Sequence, residues 1–376
     1  MDRKIRVGLI GASPDPSKSW STRAHIPALQ HLPDYQLTAL CTSRLETAEI
    51  AATHFNVPHA FADAYAMAAH PDVDLVIVSV RTPAHRSLIE AAIAGGKHVF
   101  CEWPIGGSTE IASEMLDAAA RAGVKSMIGL QAYGHETLRY VKDLIEEGYI
   151  GRVLSTNWHC YQENYGPHEL ELYSYSADVR NNAHLLRIAT GHTFGGLQFC
   201  LGRFQDLSAT VAARHGTVTI RETGEVRPKT SPDQIMVNGV LENGAVASIH
   251  MMGGATRTSG TRIEINGTEG DLLLTSTGAA NINRATFQLS GGRGKTMEVM
   301  SVPAAYQLQP PGLPDGPPLA VAHLYDDFAR ALREGGTPRV GFGLAVEIHE
   351  TLDAIQRSSD TGQRQLMVYR DSPANI

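Results

Sequence analysis

Cysteine is scarce in this chain, aromatic residues make up only 6% of it, and positive charge is outnumbered by negative. The four cysteines (Cys41, Cys101, Cys160, Cys200) form no C-x-x-C pair and stand at no zinc-ligand spacing, which excludes a small disulfide-stapled module. They read as buried small hydrophobes in a reducing compartment. With 32 Lys and Arg against 39 Asp and Glu the formal charge is -7, so no basic field is present to displace counterions from a nucleic acid or to hold an anionic membrane. No apolar run approaches the ~20 residues that a bilayer span needs. Met1-Asp2-Arg3-Lys4 leads straight into an apolar strand, without a signal core. The expectation is a cytoplasmic protein with neither nucleic-acid nor membrane partners. No metal is expected either, since His349-Glu350 lacks a second ligand at useful spacing.

What is present is enough apolar material, 43%, for packed cores, and 376 residues is more than one core usually serves. Through the first ~130 residues strand and helix alternate. Ile5 to Ile10, Gln36 to Cys41, Val73 to Val80, Lys97 to Cys101 and Ser126 to Leu130 read as strands, and helices at Glu46 to His54, His85 to Ala94 and Thr109 to Ala122 lie between them. This predicts a doubly wound parallel sheet, a Rossmann domain, over residues 1–130. Beyond Gly151, strand-like runs separated by turn signals such as Glu242-Asn243-Gly244 predict an α+β domain over 131–376 with a large, mostly antiparallel open sheet. Amphipathic helices over 321–360 are expected to pack back toward the first domain.

The turn after the first strand opens with Gly11 and leads into a helix, placing backbone N–H groups where a pyrophosphate can sit. Ser13 stands where the G-x-G-x-x-G fingerprint has its second glycine. The second strand ends Cys41-Thr42-Ser43-Arg44, with no acid to take the ribose hydroxyls of NAD. A hydroxyl followed by a guanidinium suits a 2′-phosphate, so Ser43 and Arg44 predict NADP in preference to NAD.

Several segments together are similar to the Gfo/Idh/MocA oxidoreductase family: Val7-Gly8-Leu9-Ile10-Gly11, Thr82-Pro83-Ala84-His85, Gly96 to Pro104, Glu147 to Gly151, and Glu264 to Leu272. Lys18-Ser19-Trp20, Glu102-Trp103, Leu130-Gln131 and Gly191-His192-Thr193 resemble the branch of the fungal galactose-pathway repressor. The resemblance implies a nicotinamide dinucleotide held by Gly11, Ser13, Trp20, Ser43, Arg44, Thr82, Pro83, His85, Glu102, Trp103 and Gln131, with Glu102 toward the nicotinamide ribose. It also implies a histidine in the second domain, matched by His192.

Two departures matter. The family's Glu-Lys-Pro lysine is Trp103 here, and an indole cannot titrate near neutral pH. Both acids that flank the family histidine are missing, Ile188 and Gly195 standing in their places. The remaining catalytic candidates are His192, with His184 eight residues earlier on the same helix face if 182–190 is helical, and Tyr165. His159, Tyr161, Tyr175, Arg180 and Asn181 are candidates for stacking on and hydrogen bonding a sugar-like ring.

These features predict hydride transfer between NADP(H) and a secondary alcohol or ketone of a sugar, cyclitol or related ring. Two alternatives stand beside it: a catalytically silent dinucleotide-binding regulator, and a redox-neutral hydrolase or lyase using bound NAD(P). A homodimer or higher oligomer through the second domain's sheet is expected.

Overall fold

The computed structural model describes residues 3–255, 257–277, 281–308 and 310–369. The chain divides into two compact units, one built from its first 130 residues with 308–347, the other from 131–307 with the segment that begins at Ile348.

In the first unit β1 (Ile5–Ile10), β2 (Tyr35–Cys41), β3 (His59–Phe61), β4 (Leu75–Val78), β5 (His98–Glu102) and β6 (Ser126–Gly129) form one six-stranded sheet in the order β3-β2-β1-β4-β5-β6. Every pairing is parallel. That is the strand order of a dinucleotide-binding Rossmann sheet, whose switch point lies between β1 and β4. The fully buried residues of β4, Leu75-Val76-Ile77-Val78, give the continuous apolar run that a sheet covered on both faces requires. Helices α1 (Ile26–His31), α2 (Leu45–Phe55), α3 (Ala64–Ala69), α4 (His85–Ala94) and α5 (Thr109–Arg121) make the crossovers. Ser108 caps α5 by accepting from Ile111 N at 3.3 Å. Strand β4 is shorter than the predicted Val73 to Val80, and just ahead of it the Asp74 carboxylate pairs with Arg3 and Arg6.

In the second unit α6 (Glu136–Glu146) is followed by β7 (Val153–Tyr161), β8 (His168–Glu169), α7 (Gly191–Leu201), β9 (Phe204–Ala212), β10 (Thr217–Ile220), β11 (Val226–Pro228), β12 (Gln234–Leu241), β13 (Val246–Met252), β14 (Gly260–Gly267), β15 (Asp271–Thr277), β16 (Gln288–Gly292), β17 (Glu298–Met300) and β18 (Gln365–Leu366). Nine of these strands form a sheet in the order β17-β16-β15-β14-β7-β13-β12-β9-β18, while β8, β10 and β11 make a small separate one. The large sheet is antiparallel except where β13 runs parallel to β7. Strict alternation on β7 buries Trp158 and Cys160 and turns His159 and Tyr161 to the opposite face.

Helix α8 (Pro317–Glu334) belongs to the first unit. Tyr325, fully buried, receives Tyr35 Oη on its carbonyl at 2.7 Å. Helix α9 (Phe342–Thr361) then leads the chain into its last segment. Among the described residues, no helix is long and apolar enough to cross a membrane.

Candidate functional site

The dinucleotide end of the first unit is organised around Gly11. Its φ of +103° is open to glycine and strained for other residues, and a Cβ there would fall 2.2 Å from the Ser79 carbonyl oxygen. Gly11 N donates to Cys41 O at 3.0 Å, which ties the turn to the end of β2. The loop is then closed by its own hydroxyls: Ser19 Oγ donates to Gly11 O at 2.9 Å, Thr22 Oγ1 donates to Ser13 O, and Ser13 Oγ accepts from Asp15 N. Ser21–His25 follow as a π-helical turn.

The Trp20 indole N–H and the Ser21 hydroxyl are buried without a hydrogen-bond partner among the described residues. Buried donors of this kind are costly unless met by an acceptor, and phosphate oxygens are acceptors of the right chemistry. The residues therefore fit a pyrophosphate. Arg23, which the sequence reading passed over, lies with its guanidinium 5.7 Å from the Trp20 ring and adds a cation to this turn. Ser43 and Arg44 are exposed at the end of β2, where the turn is held by Thr42 and Thr47 hydroxyls on the Arg44 carbonyl.

At the end of β5 the Glu102 carboxylate lies against Gly129, whose Cβ position would be 2.6 Å from it. His25 Nε2 meets Glu102 Oε1 at 2.9 Å, and His25 Nδ1 meets Tyr325 Oη at 2.7 Å. With Nε2–H donating to the carboxylate, Nδ1 accepts the tyrosine proton, so α8 holds the histidine and the histidine holds Glu102. No spacing in the sequence announces this chain, since His25 and Tyr325 are 300 residues apart. Thr82 and Pro83 begin a 3-10 turn, and Trp103 is buried beside a cis bond to Pro104.

His85 is a correction to the cofactor set. Its ring nitrogens lie 2.8 Å from Pro104 O and 3.0 Å from Val80 O, the residue is 1% exposed, and burial lowers its pKa against these two contacts. It ties together the loops after β4 and β5 and has no face left for a ligand. Gln131 opens a buried 3-10 turn in the second unit.

The second unit gathers a different group. His192 stands in the first turn of α7 and is buried. The condition that 182–190 be helical is not met: Asn182 is left-handed at φ 49°, and helical structure begins at Leu186. His184 thus precedes the helix. Its buried imidazole is pushed down to about 3, chiefly by desolvation and then by Arg187 and Lys229, so it is neutral at physiological pH.

Tyr165, at φ 66°, has its phenol driven upward by burial and by Tyr175, with Arg284, Glu169 and Tyr173 also close enough to act on it. It remains a protonated donor at neutral pH. Arg284, also missed in the sequence, joins this tyrosine group. Asn181 Nδ2 donates to Tyr175 O at 2.7 Å and so positions that residue.

Three further substrate candidates have partners of their own. Arg180 has its side chain 86% exposed and forked onto Asp178 through Nε and Nη2. His159 and Tyr161 lie on the sheet face opposite Trp158, where Tyr161 Oη meets His250 Nδ1 at 3.1 Å. The two-residue period of the strand, not their nearness in sequence to Tyr165, decides their side.

A Rossmann unit with this turn, joined to a large-sheet unit, defines a nicotinamide-dinucleotide oxidoreductase. Residues 5–130 match the family model described as "Oxidoreductase family, NAD-binding Rossmann fold", and residues 137–276 match that of "Gal80p, C-terminal domain". The chain is 32% identical over 253 residues, 64% of its length and 68% of the relative's, to "Dehydrogenase aclE" of Aspergillus oryzae. It is 30% identical to the "1,5-anhydro-D-fructose reductase" of Ensifer adhaerens, over 71% of this chain and 75% of that one. The crystal structure of the transcriptional regulator Gal80p from Kluyveromyces lactis superposes with a TM-score of 0.81 at 25% identity, covering 96% of this chain and 91% of the other. The chain belongs to the Gfo/Idh/MocA oxidoreductase family, near its Gal80 branch.

Proposed function

We propose that the chain is a cytoplasmic, NADP-preferring oxidoreductase that interconverts a secondary alcohol and a ketone on a sugar-like ring. The observation that carries the cofactor preference is the end of β2, where Ser43 and Arg44 are exposed and neither carries a carboxylate for the ribose hydroxyls. The sugar-like substrate is supported by the names of relatives, a 1,5-anhydro-D-fructose reductase and a levoglucosan dehydrogenase among them.

When bound, the nicotinamide supplies the hydride chemistry. Glu102, held by His25, orients the ribose beside it. Tyr165 and Tyr175 donate to ring oxygens, His192 relays the hydroxyl proton, and neutral His184 shapes the pocket without changing charge. The sheet face that carries Met236, Val246, His159, Tyr161 and His250 is the surface through which the chain forms a homodimer.

Trp103 in place of the family lysine and the Gal80p match over 137–276 favour one second reading, a silent dinucleotide-binding regulator. A redox-neutral hydrolase or lyase differs from both in retaining its cofactor tightly without net reduction. Single-turnover absorbance at stoichiometric protein, with NADP+ or NADPH against sugars, cyclitols, lactones and their keto forms, separates the readings. Formation or loss of reduced nicotinamide supports the oxidoreductase. Demonstrated NADPH binding with no hydride transfer across the panel points to the regulator where the dinucleotide exchanges freely, and to the redox-neutral reading where it stays tightly bound.

A further inference from the structure

His59 opens β3, while His70 and Asp72 lie in the connection from α3 to β4, so the fold brings two segments together at the edge of the sheet opposite Gly11. One ring nitrogen of each histidine and one carboxylate oxygen lie within 4.8 Å of one another. His59 Nε2 and Asp72 Oδ2 are 3.1 Å apart, near the ~3.3 Å edge of a tetrahedron of donors about 2.0–2.1 Å from zinc. The two imidazoles converge, their centroids 4.3 Å apart and their planes 49° from parallel.

The surroundings prepare these groups for a cation. Arg6 Nη1 holds Asp72 Oδ1 at 2.9 Å and leaves Oδ2 turned toward His59, the outer-shell fixing that ligating carboxylates commonly have. Asp74 pairs with both Arg6 and Arg3 and offsets their charge. His70 Nδ1 accepts the Asp72 N–H at 3.2 Å, which fixes that ring beside the carboxylate and marks Nδ1 as its lone-pair nitrogen. All three residues are half-buried and reachable from solvent.

We propose that His59, His70 and Asp72 bind one divalent transition-metal ion of the zinc type, with water in the fourth position. The ion takes the Nε2 lone pair of His59, whose proton moves to Nδ1 through solvent, and the Nδ1 lone pair of His70 in place of its bond from the Asp72 N–H, which passes to solvent; nothing is oxidised or reduced. The site lies at the strand-start edge and serves to tie the edge strand β3 to the α3–β4 connection, independently of the dinucleotide. It escaped the sequence reading because spacings of eleven and two residues match no ligand pattern.

The test is a Co2+ titration of the untagged full chain, followed by visible absorption, with Zn2+ as competitor. Saturation at one equivalent is expected, displaced by Zn2+ and weakened at least about tenfold in His59→Gln and in His70→Gln. A circular-dichroism melt checks that each variant is folded, and if His59→Gln fails to fold, His70→Gln decides alone. Absence of saturable binding in the parent, or undiminished binding in a folded variant, overturns the proposal.

Discussion

Replacing His184 by Asn should flatten the acid side of the stability profile. The folded chain holds this imidazole neutral to about pH 3, whereas an unfolded histidine titrates near 6.5. Its pKa is lower folded than unfolded, so below about 6.5 the unfolded state binds the extra proton. Stability is therefore lost as pH falls from 6.5 toward 3. Between pH 7.5 and 5.0 the linkage amounts to about 2 kcal/mol for this one group. His349, also pushed down to about 3 by burial, adds about as much again in the parent. Arg187 raises the cost of charging both rings and is itself paired with Asp353 at 2.7 Å. Urea denaturation at pH 7.5, 6.5, 5.5 and 5.0, for parent and His184→Asn, gives the quantity needed, the difference in pH dependence rather than either absolute stability. The variant should lose about 2 kcal/mol less than the parent over this range. Equal losses in the two chains would show that His184 is not held neutral in the folded state.

Other substitutions probe different parts of the molecule. Gly11→Ala places a methyl 2.2 Å from the Ser79 carbonyl at a positive φ, and should abolish NADPH binding by fluorescence titration at concentrations that saturate the parent. Tyr325→Phe leaves His25 Nδ1 buried without its hydroxyl partner, which costs about 1–3 kcal/mol in urea midpoint analysis. Lys229→Met removes the cation from the buried Asp233 carboxylate, leaving it only the Arg214 and His215 N–H bonds, in a pair whose side chains are 1% and 0% exposed, and should destabilise the chain by about 3 kcal/mol. Unchanged midpoints in the last two would show that neither buried polar pair contributes to stability.

What was legible in the sequence was what repeats. The alternation of apolar strands and helices gave the parallel sheet, and the two-residue period gave β7, β9, β12 and β13 within a residue or two of their ends. Strands β16 and β17 were missed: the first ends on Gly291-Gly292, the second is three residues long, and neither has an apolar alternation long enough to read. Residues that act locally, such as Gly11 and the exposed pair Ser43 and Arg44, could be placed because a strand end fixes their position. The His25–Glu102–Tyr325 chain could not, since it is assembled from three distant segments by packing. His159 and Tyr161 share the face opposite Trp158 and Cys160, a placement that follows from the two-residue period of β7.

The loss of the family lysine narrows the proton chemistry on the oxidoreductase reading to one side chain. Trp103 offers only an indole N–H, Tyr165 keeps its proton because burial raises its phenol, and His184 resists taking one. Of the groups singled out for proton transfer, His192 is then the imidazole left to accept the proton that an alcohol must release as hydride departs. His192→Asn should therefore remove turnover on any substrate found by at least about 100-fold while NADPH affinity stays within about twofold, since general acid–base groups contribute roughly 10²–10⁴ in rate. A variant that retains parental turnover would assign His192 to packing. If no substrate is found and the variant only alters how tightly NADPH binds, the same imidazole reports on a dinucleotide sensor, and the absence of the lysine needs no replacement.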